Sequence, residues 1–313
     1  MNDFSIFAFL KVVFVRSSEI INFSNPFNSR RWLAILVPSK ISGLHFIKNY
    51  VSGKKYLGFS FKSNSLGLRG GEDSNSKNVI MGTSFAMGLG VDIGCNWYDS
   101  LKESDWMNLG MPVSIFYQKK MLKTFYNGSH ETLIYIYHPN IWKVSYDYYN
   151  ANRKGLNIFK FKGWRTDYYS TVKYFIKWII KEIVKILQHK SIYTKWEDKY
   201  FHFNPTYNFF DIKSKSNFID QELNNLDSIF KCFRKVYVIR VPIKEQVYQK
   251  KSCKYNRCLN ETINNYDMLW NKTKKNLSRK KNTFLEIDIN RFNAEDFLNF
   301  DTHWSEAGNK KFF

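Results

Sequence analysis

The feature that most constrains this chain is a series of short apolar runs, each ending in a small or polar turn and spaced widely enough for a helix to lie between. Asn78-Val-Ile-Met81 stops at Gly82-Thr-Ser84. Asp105-Trp-Met-Asn-Leu-Gly110 ends on a glycine, Thr132–Tyr137 stops at His138-Pro-Asn140, and residues 235–242 and 283–289 repeat the pattern. Runs this short, rich in β-branched and aromatic residues, read as strands buried on both faces. Residues 114–125 carry helical text between the second and third runs. Strands alternating with helices at this spacing predict an α/β fold with a parallel sheet covered on both sides.

The flanks are less regular. Residues 4–15 form an apolar run broken by Lys11 and closed by Arg16. A spanning helix needs about 20 predominantly apolar residues, so this run reads as a buried or interfacial element, with neither a complete signal peptide nor a transmembrane helix. Residues 1–71 are therefore expected to form a lead-in, membrane-associated or not, and residues 72–313 the ordered domain. Residues 143–231 interrupt the strand–helix rhythm and are read as a helical, aromatic-rich, cap-like insertion. Within it, residues 171–188 place an apolar stripe beside lysines at four-residue spacing, an amphipathic helix that either packs on the domain or meets a membrane or partner.

Composition matters chiefly through charge. The chain has 48 Lys+Arg against 27 Asp+Glu, a formal charge of +21. Such an excess attracts phosphate-rich surfaces non-specifically, but it is spread along the chain and is mostly lysine, without the motif of a sequence-reading nucleic-acid module. An anionic membrane surface or acidic polysaccharide is the expected class of charged partner, and no specific nucleic acid is expected. Cys253 and Cys258 are close in sequence, but no second Cys/His pair at zinc spacing accompanies them, so unligated thiols are expected.

Chemistry concentrates at the ends of the apolar runs, which in an open parallel sheet converge on one crevice. Ser84 follows the first run on a small-residue turn; a serine becomes a nucleophile when a base takes its proton and donors meet the developing oxyanion. Asn140 follows the third run, and its side-chain amide is a candidate donor. Near the C-terminus, Asp301-Thr-His-Trp304 sets a carboxylate two residues before an imidazole, an arrangement in which Asp301 orients the ring and His303 acts as base. His130 precedes the third run and so belongs to the wrong end of the sheet.

These blocks resemble the SGNH (GDSL-type) hydrolases. Gly82-Thr-Ser84-Phe85, with Gly88 and Gly90, looks like the first family block. Asn108-Leu-Gly-Met-Pro-Val113 with Gln118 resembles the second, His138-Pro-Asn140 the third, and Asp301-Thr-His303-Trp304 with Gly308 the last. The lead-in at 64–72 resembles that of membrane-anchored bacterial members, and the wording of 241–248 resembles the branch that includes alginate-type O-acetyltransferases. The resemblance implies a three-layer α/β/α sandwich of flavodoxin-like type and a bacterial membrane or cell-envelope setting. It also implies a serine-dependent esterase or O-acyltransferase, without metal or cofactor, working on an acylated carbohydrate or another small ester. Ser84 would be the nucleophile, His303 the base and Asp301 its partner. The oxyanion hole would use the N–H groups of Ser84 and Val113 and the side chain of Asn140. Three departures from the family pattern point to a second reading, a catalytically weakened carbohydrate-binding descendant: Thr83 replaces the usual Asp, Val113 the usual Gly, and Ile141 the usual Asp.

Overall fold

The computed structural model describes residues 36–39, 43–46, 48–52, 59–70, 74–99, 101, 105–153, 180, 184, 192–197, 199–203, 215–252, 257–297 and 303–311. Two antiparallel pairs come first, β1 (Leu36–Ser39) with β2 (Gly43–Phe46) and β3 (Val51–Ser52) with β4 (Phe61–Lys62). The main sheet is built from β5 (Asn78–Gly82), β6 (Trp106–Asn108), β7 (Thr132–Tyr137), and, beyond an antiparallel hairpin of β8 (Ile192–Trp196) and β9 (Lys199–Phe203), from β10 (Lys235–Arg240) and β11 (Asn282–Glu286). Its spatial order is β11-β10-β7-β5-β6, and every pairing is parallel. Taken in order of occurrence the strands run 2-1-3-4-5, so chain direction across the sheet reverses between β5 and β7, where ligand crevices form in such sheets.

The apolar runs are strands because alternate side chains face two separate cores. Val79, Met81, Leu133, Tyr135, Tyr137, Val236 and Val238 join one apolar cluster; Ile80, Ile134, Ile136 and Ile239 join another. Burying side chains of this size stabilises the fold by about 1.5 to 3 kcal/mol each. The first cluster is closed by helices α2 (Ile115–Phe125), α3 (Asn140–Arg153), α4 (Ser216–Lys231) and much of α6 (Arg257–Leu277). In α4 the buried residues Phe218, Ile219, Glu222, Leu223, Leu226, Ile229 and Phe230 recur at three- and four-residue spacing, the signature of one face seated on a core. Ser114 caps α2 by accepting from the Tyr117 N–H (3.4 Å), and Lys123 closes its last turn, so the helix expected there is bounded by ordinary capping chemistry. The second cluster is closed by the single-turn α1 (Ser84–Met87), by residues of α5 (Lys244–Ser252), by the β8–β9 hairpin and by the C-terminal segment.

Three expectations need correction. The described part of the insertion is helical at its two ends, in α3 up to Arg153 and in α4 from Ser216, but between them β8 and β9 form an antiparallel hairpin turning at Glu197, which adopts φ 54°. Ile192, Trp196, Phe201 and Phe203 are buried, with Trp196 and Phe203 against Tyr248 (ring centroids 5.5 and 4.8 Å). Their period-two spacing gives one apolar face, and it covers the sheet instead of forming an open cap. Helix 171–188 lies outside the described residues apart from Ile180 and Val184, which are helical and exposed. The fifth strand stops at Glu286, and Ile289 begins a 3-10 turn. Finally, ordered packing begins before residue 72, since Phe59, Phe61 and Leu68 belong to the first core. Among the described residues no helix is long and apolar enough to cross a membrane; the apolar run at 4–15 lies outside them. Cys95 and Cys232 are free thiols.

Gly82 ends β5 at φ +139°, and a Cβ there would stand 2.5 Å from the carbonyl oxygen of Ile136 on the adjacent strand. Gly82→Ala is expected to cost about 2 to 4 kcal/mol, combining left-handed backbone strain with forced separation of β5 and β7. Denaturant unfolding of the variant measures it.

Candidate active site

Helix α1 is only one turn long, so its carbonyls have no later turn to receive them. Each is met from elsewhere. The Ser84 carbonyl accepts the Leu89 N–H (3.0 Å), and that of Phe85 accepts the Gly88 N–H (3.2 Å) and the Trp97 indole N–H (3.4 Å). Ala86 accepts from Asn108 Nδ2 (3.1 Å) and Met87 from the Tyr98 hydroxyl (2.8 Å). The Arg69 guanidinium donates to the carbonyls of Gly88 and Val91, the latter at 2.6 Å, and lies over the rings of Phe59 and Phe61. Burial pushes the Tyr98 hydroxyl well above its ordinary range, which keeps it a neutral donor.

The strand end beneath this helix is held as tightly. The Gly82 carbonyl accepts both the Met111 N–H (3.1 Å) and Gln118 Nε2 (3.2 Å), while Gln118 Oε1 accepts the Tyr135 hydroxyl (3.0 Å). Gly110 lets the loop after β6 lie against α1; a Cβ there would be 2.7 Å from the Ala86 carbonyl carbon and the Met87 nitrogen. Ser84 thus opens a short helix whose backbone is fixed from three other segments, and its side chain is buried at the C-terminal edge of β5.

The C-terminal segment brings His303 to that edge. His303 Nε2 lies 2.5 Å from Ser84 Oγ, linking residues 219 apart in sequence. Its ring stacks on Phe85 (5.0 Å, 29°), whose ring also stacks on His138 (4.4 Å, 24°) and meets Trp304 edge-on (5.2 Å, 78°). Trp304 bridges Phe297, the Ser305 N–H donates to the Asp296 carbonyl (2.9 Å), and Ser305 Oγ caps α7 (Glu306–Lys310) by accepting the Gly308 N–H (3.3 Å). The fully buried Asp296 carboxylate accepts from the Asn293 N–H (2.7 Å) and from Lys311 Nζ (2.8 Å). Asn309 Oδ1 accepts the Trp97 N–H (3.1 Å), tying the histidine-bearing segment to the loop that holds α1. Asp301 lies outside the described residues.

Asn140 begins α3 at the end of β7, the strand next to β5 across the point of reversal. Its backbone N–H donates to His138 Nδ1 (3.3 Å), which assigns the His138 proton to Nε2 in the neutral ring. The Asn140 side chain is buried, and its Oδ1 acceptor has no hydrogen-bond partner among the described residues; only its Nδ2 can donate to an oxyanion. Val113 departs from the expectation. Its N–H donates to the Met111 carbonyl (2.8 Å) in a tight three-residue turn, so this donor is engaged within its own loop. Thr83 Oγ1 is buried without a partner among the described residues and does not cap α1.

Ser84, His303 and Asn140 were legible from the sequence. Arg69, Trp97, Tyr98 and Asn309 were not, since a hydrogen bond to a distant carbonyl leaves no periodic mark. Only the Asn293-x-x-Asp296 capping-box spacing gave a local sign of the support beneath His303. No protein-family model matches the chain, and no curated protein matches it.

Gln118→Leu removes one of the two donors to the Gly82 carbonyl and strands the buried Tyr135 hydroxyl, so a loss of about 2 to 3 kcal/mol is expected. In a double-mutant cycle with Tyr135→Phe, chemical unfolding should give a coupling of about 1 kcal/mol, because both variants disrupt one network.

Proposed function

We propose that the chain is a serine-dependent ester hydrolase or O-acyltransferase of the SGNH type, with a three-layer α/β/α sandwich as its fold. The observation that carries this reading is the 2.5 Å approach of His303 Nε2 to Ser84 Oγ at the carboxyl edge of the sheet, beside the strand reversal. A hydroxyl and an imidazole drawn together from opposite ends of the chain form the nucleophile–base pair that acyl transfer requires.

In this mechanism Ser84 Oγ attacks an ester carbonyl carbon while its proton passes to His303 Nε2. The carbonyl oxygen becomes an oxyanion facing the Ser84 N–H, which opens α1, and the Asn140 side-chain amide. Collapse of the intermediate breaks the ester C–O bond; the leaving oxygen takes the proton from His303, and the acyl group stays on Ser84. Water, or the hydroxyl of an acceptor, then gives its proton to His303 and attacks the acyl carbon; the acyl–Oγ bond breaks, His303 returns the proton to Ser84 Oγ, and the acid is released or the group transferred. Asp301 is assigned the role of orienting His303. An acylated carbohydrate is the proposed substrate class, by the resemblance of the sequence blocks.

A second reading, a sugar-binding descendant with little catalysis, draws on two observations: the Val113 N–H is bound to Met111, and Thr83 leaves its hydroxyl unused at the turn. Two oxyanion donors in place of three would raise the barrier, each donor being worth about 3 to 4 kcal/mol.

A fluorophosphonate probe should label the wild type and fail to label Ser84→Ala. Ser84→Ala and His303→Ala should each lower ester turnover by roughly 10⁴-fold or more, and Asn140→Ala by about 10²- to 10³-fold in kcat. A wild type that resists labelling would leave only the binding reading.

A further inference from the structure

Among the described residues, basic side chains gather at one end of the main sheet. In a parallel sheet with crossover helices, all strands begin and the helices that feed them end at one pole, here the pole opposite Ser84 and His303. The loop entering β5 carries Lys77, the last turn of α2 carries Lys123, and α4 ends on Lys231. The turn into β10 carries Arg234 and Lys235, and that into β11 carries Arg279, Lys280 and Lys281.

These segments form one surface. The Glu131 N–H donates to the Lys77 carbonyl (3.0 Å), the Lys235 N–H to that of Glu131 (2.9 Å) and the Arg234 N–H to that of His130 (2.9 Å). Lys281 Nζ ties the β11 turn to the end of α4 by donating to the carbonyls of Lys231 (3.1 Å) and Phe233 (2.7 Å). Beneath them, Tyr126 donates its hydroxyl to the Lys77 carbonyl (3.0 Å) and stacks on Phe233 (6.0 Å).

Asp105, Glu131 and Asp227 are the carboxylates among these cations. Asp227 is held by Lys231 (2.7 Å) and Arg279 (2.8 Å), and Glu131 by Arg234 (3.2 Å). Both arginines, whose planar forks suit bidentate phosphate recognition, are thus turned onto the chain's own carboxylates. Arg234 stays largely exposed beside Glu131, and the lysines at positions 77, 123, 235 and 280 are exposed around it. Favourable interaction with helix C-termini accounts for Lys123 and Lys231 but not for the lysines of the strand-entry turns. The aromatic rings of this pole, Tyr126 and Phe233, are buried and offer nothing for bases to stack on.

We infer that this pole is a docking surface for an anionic lipid bilayer, with the Ser84–His303 edge facing away from the membrane. Lysines on a broad rigid surface suit a plane of mobile anionic headgroups, and each one brought to such a surface strengthens binding about fivefold at low salt. The inference concerns a different face from the proposed acyl-transfer site and stands independently of it.

Cosedimentation of the full chain with phosphatidylcholine vesicles, with and without phosphatidylglycerol, tests it. Binding is expected only to the anionic vesicles and to fall as salt is raised. The triple variant Lys77→Glu, Lys235→Glu, Lys280→Glu should weaken partitioning about a hundredfold or more. A control triple at the exposed Lys48, Lys62 and Lys251, with the same change in net charge, should weaken it less than about threefold. Equal losses in the two triples, no binding of the wild type to anionic vesicles, or tighter binding to a DNA oligonucleotide lost in the first triple would overturn the inference. Thermal unfolding checks both variants; if the first triple does not fold, Lys280→Glu alone should still weaken partitioning about fivefold or more.

Discussion

The carbonyls of a single helical turn set the terms for the rest of the molecule. A helix as short as Ser84–Met87 cannot satisfy its own C-terminal acceptors, and burying them unpaired would cost about 1 to 3 kcal/mol apiece. The chain answers with the Gly88 and Leu89 N–H groups and with Trp97, Tyr98 and Asn108, while Arg69 holds the carbonyls of Gly88 and Val91 just after the turn. The loops that carry those donors are held in place by the same bonds, which explains why residues 59–70 pack as part of the core. Asn309 extends the arrangement to the C-terminus by gripping the Trp97 backbone, so the support of α1 and the approach of His303 to Ser84 share one set of loops.

The aromatic content follows from the sheet's two faces. One face is closed by amphipathic helices, whose apolar stripes are continuous. Among the described residues the other is covered by one turn of helix at Ser84, part of α5, the β8–β9 hairpin and C-terminal chain, with large flat side chains between them: Phe85, Trp304, Phe292, Phe297, Trp196, Phe201, Phe203 and Tyr248. The β8–β9 hairpin supplies three of these. Aromatic rings bury much area per residue at low cost in side-chain entropy, which suits a layer built from short, irregular pieces. Phe85 marks where this layer becomes the candidate site, its ring held between His303 and His138.

The charge has a third logic, set by chain direction. Parallel topology sends every strand entry to one pole and every strand exit to the other. The Ser84–His303 pair lies at the exits, and Lys77, Lys123, Lys231, Lys235, Lys280 and Lys281 lie at the entries. The two arginines among them pair with Glu131 and Asp227 near the surface. Among the described residues, the strand-entry turns therefore form a basic pole that the linear sequence does not mark.

The sequence by itself determined the strands of the main sheet to within a few residues, the α2 helix, and the placement of Ser84, Asn140 and His303 as polar residues at strand or segment ends. These depend on neighbours two to four residues apart, and such spacing is visible in a linear text. It did not disclose that Val113 would spend its N–H on Met111, or that residues 192–203 would be a buried hairpin beneath an aromatic layer, because period-two spacing within an aromatic-rich stretch does not say which surface it will meet. Only the tertiary structure decided that the Ser84 turn and the residues after it would be held by Arg69, Trp97, Tyr98 and Asn108, that His303 would reach Ser84 across 219 residues, and that the lysines of the strand-entry turns would share one pole. Each of those is a contact between segments distant in sequence, made specific by which carbonyls, cations and faces remained unsatisfied once the local elements had formed.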